Sequence, residues 1–533
     1  MSVALTNAPS ADGVEPAPAS ETRARRWAPT LCLALLAAVY FIAESIRASR
    51  QKLWYDEILT FDAASLLPSL HTLWAFLKHG IEFNPPLSFI LSAISEHVFG
   101  ANEFGLRFPS LVEFAVMAAC LYIFLKRRLP WTFAMAGMLA PLLTPAARYS
   151  HEARPYALVL ALGSIALVAW QAAAEGRRRA LALAAIGTSL GAALCAQPLA
   201  VALALPFVAG EMARALRRKR VDWPMWCAFA SATPALAILW MLKSSGAATT
   251  YSRFSGSFAG HLAATYSQLL SSLMAPVAIA AILLLLLRTQ DSEATPAGHG
   301  FPVHELAALT GFALIPLMAV PVSALGGHYW VRYSLACVIG VGGLCAAGLH
   351  GIADRMGGAE RRAGAAVLMV FGAWFVAGQF KAEGMESDGG VAIVNSSDEI
   401  QADLDRIPDD APIVIGPAMT FIELEHYAIP RVAARLYYLT DAAAAAAIDG
   451  DTAFEVKGPL LARYFPFRAH FADYHAFVAA HKRFYVVRPI RNIAREYLAG
   501  RIDLQPRGTF WCADAHRDGE TRRHGDAATG RRD

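Results

Sequence analysis

Two adjacent carboxylates, Asp56 and Glu57, follow Trp54 and Tyr55 shortly after the first long apolar run of the 533-residue chain. A carboxylate can act as a general base that removes a proton from a hydroxyl group. The same pair could hold a divalent cation, or it could simply be solvated at a membrane surface. The spacing alone leaves these alternatives open.

The segment from Arg148 to Tyr156 is a short connection between two apolar runs that holds four ionisable side chains: Arg148, His151, Glu152 and Arg154. It lacks the second histidine of a zinc-protease motif, since position 155 is a proline. Charged groups at a membrane edge are costly to place there. We therefore interpret this segment as functional.

Further polar residues flank other apolar runs. Asn84 precedes two prolines, which suit the first turn of a helix, so it is predicted to cap that helix. Arg107 is predicted either to anchor a helix at the interface or to pair with a carboxylate of the preceding loop. Arg332 and Tyr333 follow His328, and a guanidinium group suits contact with a phosphate through two parallel hydrogen bonds.

The composition indicates what must position these residues. Hydrophobic residues make up 56% of the chain and charged residues 17%, against about 25% charged in an average soluble protein. A soluble domain of this length could not bury so much apolar surface, so an ordinary soluble enzyme is excluded. The net charge of +4 gives no reason to expect a nucleic-acid partner, and membrane lipids are the expected surroundings.

The apolar runs predict a polytopic α-helical membrane protein with about eleven transmembrane helices. The first, Thr30–Ile46, is interpreted as an uncleaved transmembrane helix because no small-residue cleavage site follows it. The others are predicted at 108–125, 131–148, 155–174, 180–196, 198–213, 223–242, 266–287, 305–324, 331–350 and 363–380.

Basic loops set the orientation, since cytoplasmic loops carry an excess of lysine and arginine. With the N-terminus in the cytoplasm, the basic clusters at 126–128, 177–179, 214–220 and 355–362 all fall inside. This requires that residues 47–106 do not cross the membrane, so 58–79 and 85–99 are predicted to be interfacial helices of one long outer loop. All the candidate segments then lie on the outer face.

The chain after residue 380 is no longer membrane-like and predicts a small outer α/β domain, with strands at Pro412–Gly416 and Phe484–Arg488 and helices at Asp398–Arg406 and Ala442–Ile448. The predicted divisions are a disordered cytoplasmic tail at 1–30, a membrane module at 31–380, an outer domain at 381–514 and a disordered tail at 515–533.

In their order and topology, these motifs resemble those of the membrane-embedded GT-C glycosyltransferases, which use polyprenyl-phosphate sugars. That superfamily includes protein O-mannosyltransferases, aminoarabinose transferases acting on lipid A, and Rgt-like bacterial transferases. One departure is Asn84, where histidine is usual. The resemblance covers about residues 31–350 and lies in Asp56-Glu57, Asn84-Pro85-Pro86-Leu87, Phe99–Ser110, Ser150–Tyr156 and Arg332-Tyr333.

The resemblance implies a GT-C fold and transfer of a hexose or pentose from a polyprenyl-phosphate donor to an acceptor hydroxyl, with inversion, at the outer face of a bacterial inner membrane. It implies that Asp56 is the base. The wider candidate site comprises Glu57 and Glu152 as further catalytic residues, Arg107, Arg154, Arg332 and Tyr333 for the donor phosphate, and Asn84, His151, Tyr156 and His328. A divalent cation at Asp56 and Glu57 stays open, and no other cofactor is expected. The acceptor is a lipid, a polysaccharide or a protein.

Two alternatives differ in class. A flippase or transporter of lipid-linked sugars predicts polar interruptions at mid-membrane in two related halves, but the chain has no evident internal repeat and its unusual charges gather at one face. A non-catalytic scaffold for envelope assembly would tolerate loss of the carboxylates.

Overall fold

The structure is a computed structural model. It describes residues 19–82, 84–245, 257–287, 300–324, 329–355, 360–380, 400, 402–404, 407, 410–448, 450–488, 491–499, 501–508 and 510–515. His328, residues 1–18 and 516–533 of the predicted tails, and residues 381–399 at the start of the predicted outer domain lie outside the described residues.

Most of the described chain before residue 381 is helical, and ten of its segments are long and apolar enough to cross a membrane. The predicted multi-pass α-helical architecture is confirmed. The helices are α1 (Ala19–Arg50), α2 (Tyr55–Ser65), α3 (Leu70–Lys78), α4 (Leu87–Phe99), α5 (Glu103–Lys126), α6 (Trp131–Leu139), α7 (Tyr156–Ala174), α8 (Arg179–Ala196), α9 (Ala204–Arg218), α10 (Trp223–Ala230), α11 (Ala235–Ser245), α12 (Phe258–Leu286), α13 (Val303–Ala313), α14 (Pro316–Ala324), α15 (Cys337–Asp354) and α16 (Glu360–Gln379). Short 3₁₀ helices lie at Ala140–Leu143, Pro145–Ser150, Pro198–Leu203 and Val331–Ser334.

Helix α1 begins at Ala19, so residues 19–30 are helical rather than disordered as predicted. The stretch contains three alanines and three arginines, which are good helix formers and extend the apolar helix toward the N-terminus.

The predicted span at 131–148 is not one α-helix. Helix α6 ends at Leu139, and two 3₁₀ helices carry the chain on to Ser150. Pro141 and Pro145 explain the change, because proline lacks a backbone N–H and clashes with the preceding turn of an α-helix. At about 1.5 Å per α-helical residue and about 2 Å per 3₁₀ residue, Trp131–Leu143 covers roughly 21 Å, and the extended backbone of Thr144 separates it from the second 3₁₀ helix. Together these elements connect the end of α5 to the start of α7.

The long loop between α1 and α5, which the sequence predicted to lie outside, contains three helices, α2, α3 and α4, where the sequence predicted two. The predicted helix at 58–79 divides into α2 and α3. The chain turns at residues 66–68, where Pro68 cannot supply a backbone N–H to continue α2. The predicted interfacial helix at 85–99 corresponds to α4.

The described C-terminal part contains a six-stranded sheet, which confirms the predicted small α/β region. The strand order is β3-β2-β1-β4-β6-β5, with β3, β2, β1 and β4 parallel and β6 and β5 antiparallel. The strands are β1 (Ile413–Ile415), β2 (Leu436–Thr440), β3 (His470–Asp473), β4 (Arg483–Val487), β5 (Ile502–Arg507) and β6 (Phe510–Ala515), and the helices between them are Ala418–Tyr427, Pro430–Ala433, Ala442–Ile448, Ala453–Tyr464, Tyr474–Ala480 and Arg491–Leu498. Of the helix predicted at Asp398–Arg406, residues 400 and 402–404 are described and helical.

The sheet and the long loop between α1 and α5 share one hydrophobic core. Leu53, Phe76 and Phe89 of the loop pack in the same buried cluster as Ile413 and Leu424 of the sheet region. Polar contacts reinforce this packing, since the Leu53 backbone N–H donates to the Tyr427 hydroxyl at 2.6 Å. The loop and the sheet therefore lie on the same side of the helical bundle.

Candidate active site

A buried ion pair between Glu57 and Arg107 fixes the start of α2 against α5. Arg107 donates from Nε to Oε1 of Glu57 at 2.7 Å and from Nη2 to Oε2 at 2.6 Å, and each residue is 1% exposed. Two parallel bonds of this kind are the strongest and most directional form of an arginine–carboxylate pair. The remaining N–H groups of Arg107 donate to the backbone carbonyls of Ala48, Gln51 and Lys52.

This arrangement does not suit the predicted phosphate contact of Arg107, because every guanidinium N–H already has an acceptor. Of the two roles that the sequence left open for Arg107, the pairing with a loop carboxylate is the one observed. Glu57 is equally occupied, since it also accepts the Ala153 backbone N–H at 2.8 Å and the Trp54 backbone N–H at 3.4 Å. It therefore joins the first loop, α5 and the segment that precedes α7.

Asp56 has different surroundings from its neighbour because successive residues of a helix project about 100° apart. Its carboxylate is 15% exposed, and Oδ2 lies 3.6 Å from Nη2 of Arg154 and 3.6 Å from Nη2 of Arg332. Among the described residues, no hydrogen bond reaches this carboxylate. Asp56 is thus an accessible anion between two guanidinium groups.

Arg154 is buried against two acids of the first loop. Its Nη1 donates to Oε2 of Glu82 at 3.1 Å and to the backbone carbonyl of Asp56 at 3.1 Å. Burial lowers the pKa of Arg154, but Asp56 and Glu82 raise it by more, so the pKa lies above its ordinary value. Its Nε is buried and has no hydrogen-bond partner in the described part of the chain, so one N–H can serve a ligand.

Arg332 lies far from Asp56 in the sequence but close to it in the structure. Its guanidinium carbon lies 5.9 Å from the ring centre of Trp54 and 5.0 Å from that of Trp330, within the range of cation–π attraction. Beside Arg332, Tyr156 and Tyr333 help to line a cavity of about 30 Å³ with otherwise mostly apolar walls. Burial raises the pKa of Tyr333 well above its usual range, so its hydroxyl stays protonated.

Glu152 is a second carboxyl group in this region. It is buried, and its Oε2 lies 3.5 Å from Nε of Arg148, while Oε1 is buried with no hydrogen-bond partner among the described residues. Burial raises the pKa of Glu152 to about 7, although the charge of Arg148 acts in the opposite direction. This carboxyl group can therefore gain or lose a proton near neutral pH.

The chain is similar to proteins of known structure and family. Residues 84–241 match the family model described as dolichyl-phosphate-mannose-protein mannosyltransferase. The crystal structure of ArnT from Cupriavidus metallidurans in the apo state is 11% identical and covers 91% of this chain and 98% of that chain, with a TM-score of 0.57. The chain has the GT-C fold. The resemblance predicted from the motifs is confirmed, and the matched segment together with the shared fold indicates a membrane glycosyltransferase.

Two other solved structures are similar to this chain. The same ArnT bound to undecaprenyl phosphate is 12% identical, covers 91% of this chain and 98% of that chain, and has a TM-score of 0.54. The oligosaccharyltransferase of Archaeoglobus fulgidus is 12% identical and covers 90% of this chain and 73% of that chain, with a TM-score of 0.45. No curated protein sequence matches the chain.

Some candidate residues of the glycosyltransferase point away from Asp56. His151 is buried with Nδ1 2.5 Å from Oε2 of Glu44 in α1, and the Ser150 hydroxyl donates to the same oxygen at 2.9 Å. Glu44 also accepts from Arg47 at 2.5 Å. This network ties the segment before α7 to the first membrane helix. The sequence signal for it was a carboxylate inside an apolar run, which is costly unless paired.

Asn84 does not cap α4 as predicted, because Pro86 flanks that helix and Asn84 donates from Nδ2 to Oε1 of Glu82 at 2.9 Å. The motifs in the sequence did not indicate Glu82. This buried acid receives Asn84 on one oxygen and Arg154 on the other, so it helps to orient the guanidinium that approaches Asp56. The available signal was a lone acid beside the two prolines.

The Asp56–Glu57 pair does not fit a divalent cation. Both oxygens of Glu57 are occupied by N–H donors. Asp56 faces two guanidinium groups, whose positive charge opposes a second cation at that place. Among the described residues, no group of at least three His, Cys, Asp or Glu side chains is arranged to hold a metal ion.

Proposed function

We propose that this glycosyltransferase moves a sugar from a polyprenyl-phosphate donor to an acceptor hydroxyl, with Asp56 as the base. The observation that carries the proposal is the position of Asp56 Oδ2, 3.6 Å from both Arg154 and Arg332. Guanidinium groups bind phosphate, and an accessible carboxylate can accept a proton. The family-model description names a dolichyl-phosphate sugar, and one similar structure contains undecaprenyl phosphate, which supports the donor class.

The reaction is a single displacement. Asp56 takes the proton of the acceptor hydroxyl while that oxygen forms a bond to the anomeric carbon. The bond between the anomeric carbon and the phosphate oxygen breaks, and its electron pair stays on the phosphate. Attack opposite the leaving group inverts the anomeric centre. Arg154 and Arg332 stabilise the negative charge that grows on the departing phosphate.

The neighbouring side chains have supporting roles in this proposal. Tyr333 and Tyr156 border the cavity beside Arg332 and would hold the donor there. Glu152, whose pKa is raised to about 7, would orient the acceptor with its unpaired oxygen. Arg107 and Glu57 act as positioning residues because they hold the start of α2, on which Asp56 lies.

We also propose which side of the membrane the active site faces. The end of the bundle opposite Asp56 carries Arg127, Arg128 and Arg177, which favours a cytoplasmic position for that end. Asp56 and the sheet would then face the outside of a bacterial inner membrane, with the N-terminus in the cytoplasm. We retain the membrane module at 31–380 and the outer domain at 381–514, although the sheet packs on the first loop of that module.

The test uses membranes that contain the full chain and a panel of polyprenyl-phosphate sugars labelled in the sugar. We expect Asp56→Asn to lower transfer by about 10²–10⁴-fold, the usual contribution of a general base. Wild-type rates in both Asp56→Asn and Glu152→Gln would contradict the proposal. Movement of intact labelled lipid across proteoliposomes without transfer would favour the flippase alternative. Separating the labelled products into lipid, polysaccharide and protein would identify the acceptor class.

A further inference from the structure

A groove lies between α5, α7 and α8 at the end of the bundle opposite Asp56. Its volume is about 400 Å³, and apolar side chains such as Ile165, Val168 and Leu181 form much of its wall. Arg127, Arg177 and Arg178 line it where α5 and α7 end and α8 begins. The groove is therefore apolar along the helices and basic at their ends.

Positive charge exceeds negative charge at the basic end of this groove. The nearby carboxylate of Glu175 lies 3.8 Å from Arg127 and 3.0 Å from Arg177, and it also accepts from Arg128 at 2.5 Å. Arg128 itself shares a second acid, Glu305. One carboxylate is thus divided among several arginines, which leaves most of the charge at the groove uncompensated.

Arg178 has no acidic partner among the described residues, and its side chain is exposed at the edge of the groove. Its backbone is in the left-handed region at φ 41°, which is uncommon for a residue other than glycine. Such backbone conformations cost free energy and often accompany binding sites. The exposed guanidinium and the apolar wall together describe a site for an amphipathic anion.

We infer that this groove binds a phospholipid with an anionic headgroup, with an acyl chain against α7 and α8 and the phosphate at Arg177 and Arg178. The charge complementarity argues for this occupant, because a zwitterionic lipid would leave the excess charge unbalanced. Basic pockets between transmembrane helices on the cytoplasmic side are typical binding sites for anionic lipid heads. The site is separate from the proposed donor site, so the inference does not depend on the proposed reaction.

The inference is tested by native mass spectrometry on the full-length protein in neutral detergent, titrated with phosphatidylglycerol or phosphatidylcholine. We expect phosphatidylglycerol to bind in preference. Arg177→Gln with Arg178→Gln should weaken it by roughly 25-fold, since each basic residue contributes about 5-fold. The matched control is Arg217→Gln with Arg220→Gln, which removes the same charge from exposed positions outside the groove and should change binding by less than about 2-fold.

Further experiments distinguish phosphatidylglycerol from other ligands that could bind in the groove. Ala185→Trp should weaken phosphatidylglycerol binding, because Ala185 lines the groove and the larger side chain fills space for the acyl chain. A thermal unfolding curve checks that this variant is folded. Equal losses in both arginine pairs, or no loss in either, would overturn the inference. So would competition by soluble glycerol phosphate at equal concentration, or tighter binding of a polyprenyl phosphate than of phosphatidylglycerol.

Discussion

Glu57 and Arg107 stand fifty residues apart and form a doubly hydrogen-bonded pair that is almost completely buried. The pair holds the first turn of α2, so the adjacent Asp56 is directed toward Arg154 and Arg332. Two carboxylates that are neighbours in sequence therefore have separate tasks: Glu57 supports the structure, and Asp56 is available for chemistry.

Because of these separate tasks, we expect Arg107→Ala to lower the stability of the protein and Asp56→Asn to lower sugar transfer. Arg107→Ala leaves a buried carboxylate without its partner, which typically costs about 3–5 kcal/mol of stability. Asp56→Asn removes one of the two acids beside Arg154, but the pair of Arg154 with Glu82 remains, so this change should lower the unfolding temperature in detergent by less. The measurement is a thermal unfolding curve for each variant beside a transfer assay. A stable, active Arg107→Ala protein would contradict the positioning role of this pair.

Substitution of Arg154 or Arg332 should lower sugar transfer and leave the protein folded. Arg154→Lys and Arg332→Lys keep the charge but lose the planar group that binds phosphate through two bonds. We expect each to lower kcat by about 10²–10³-fold, the effect of removing one donor that stabilises a developing anion. Arg217→Lys, at an exposed position on α9, is the control. Unchanged kcat in both site variants would argue against phosphate contact.

The buried carboxyl group of Glu152 should make the stability of the folded protein depend on pH. Its pKa is raised from 4.5 to about 7 in the folded protein, so the folded state holds a proton that the unfolded state releases between these values. Stability contributed by this group therefore falls as pH rises from about 4.5 to about 7. Glu152→Gln should flatten this part of the curve and should be relatively more stable than wild type at pH 8. Parallel wild-type and variant unfolding curves from pH 5 to pH 8 would show that the group does not titrate there.

The sequence could predict the membrane helices and the site segments because both depend on local patterns. Apolar runs identify helices, and charges at their ends are conspicuous in a chain with so few of them. The sequence left open that Arg107 pairs with a loop carboxylate, but it could not identify Glu57, fifty residues away, as that partner. It gave no sign that His151 contacts Glu44 across 107 residues. Arg107 and Asp56 both looked suited to phosphate chemistry or catalysis, and only the three-dimensional contacts distinguish them.

The shared core of the first loop and the sheet predicts that both are exposed on one side of the membrane. His97 of α4 and Lys482 before β4 are exposed, whereas Arg217 lies at the end of α9, on the face with the basic loops. With the exposed Cys227 replaced by alanine, we expect His97→Cys and Lys482→Cys to react with an impermeant maleimide in intact spheroplasts. Arg217→Cys should react only after the membrane is opened. Labelling of the His97 and Lys482 variants from opposite sides would contradict the packing of the sheet on the loop. Labelling of both only after opening would keep that packing but place Asp56 on the cytoplasmic face, because α2 belongs to the same core.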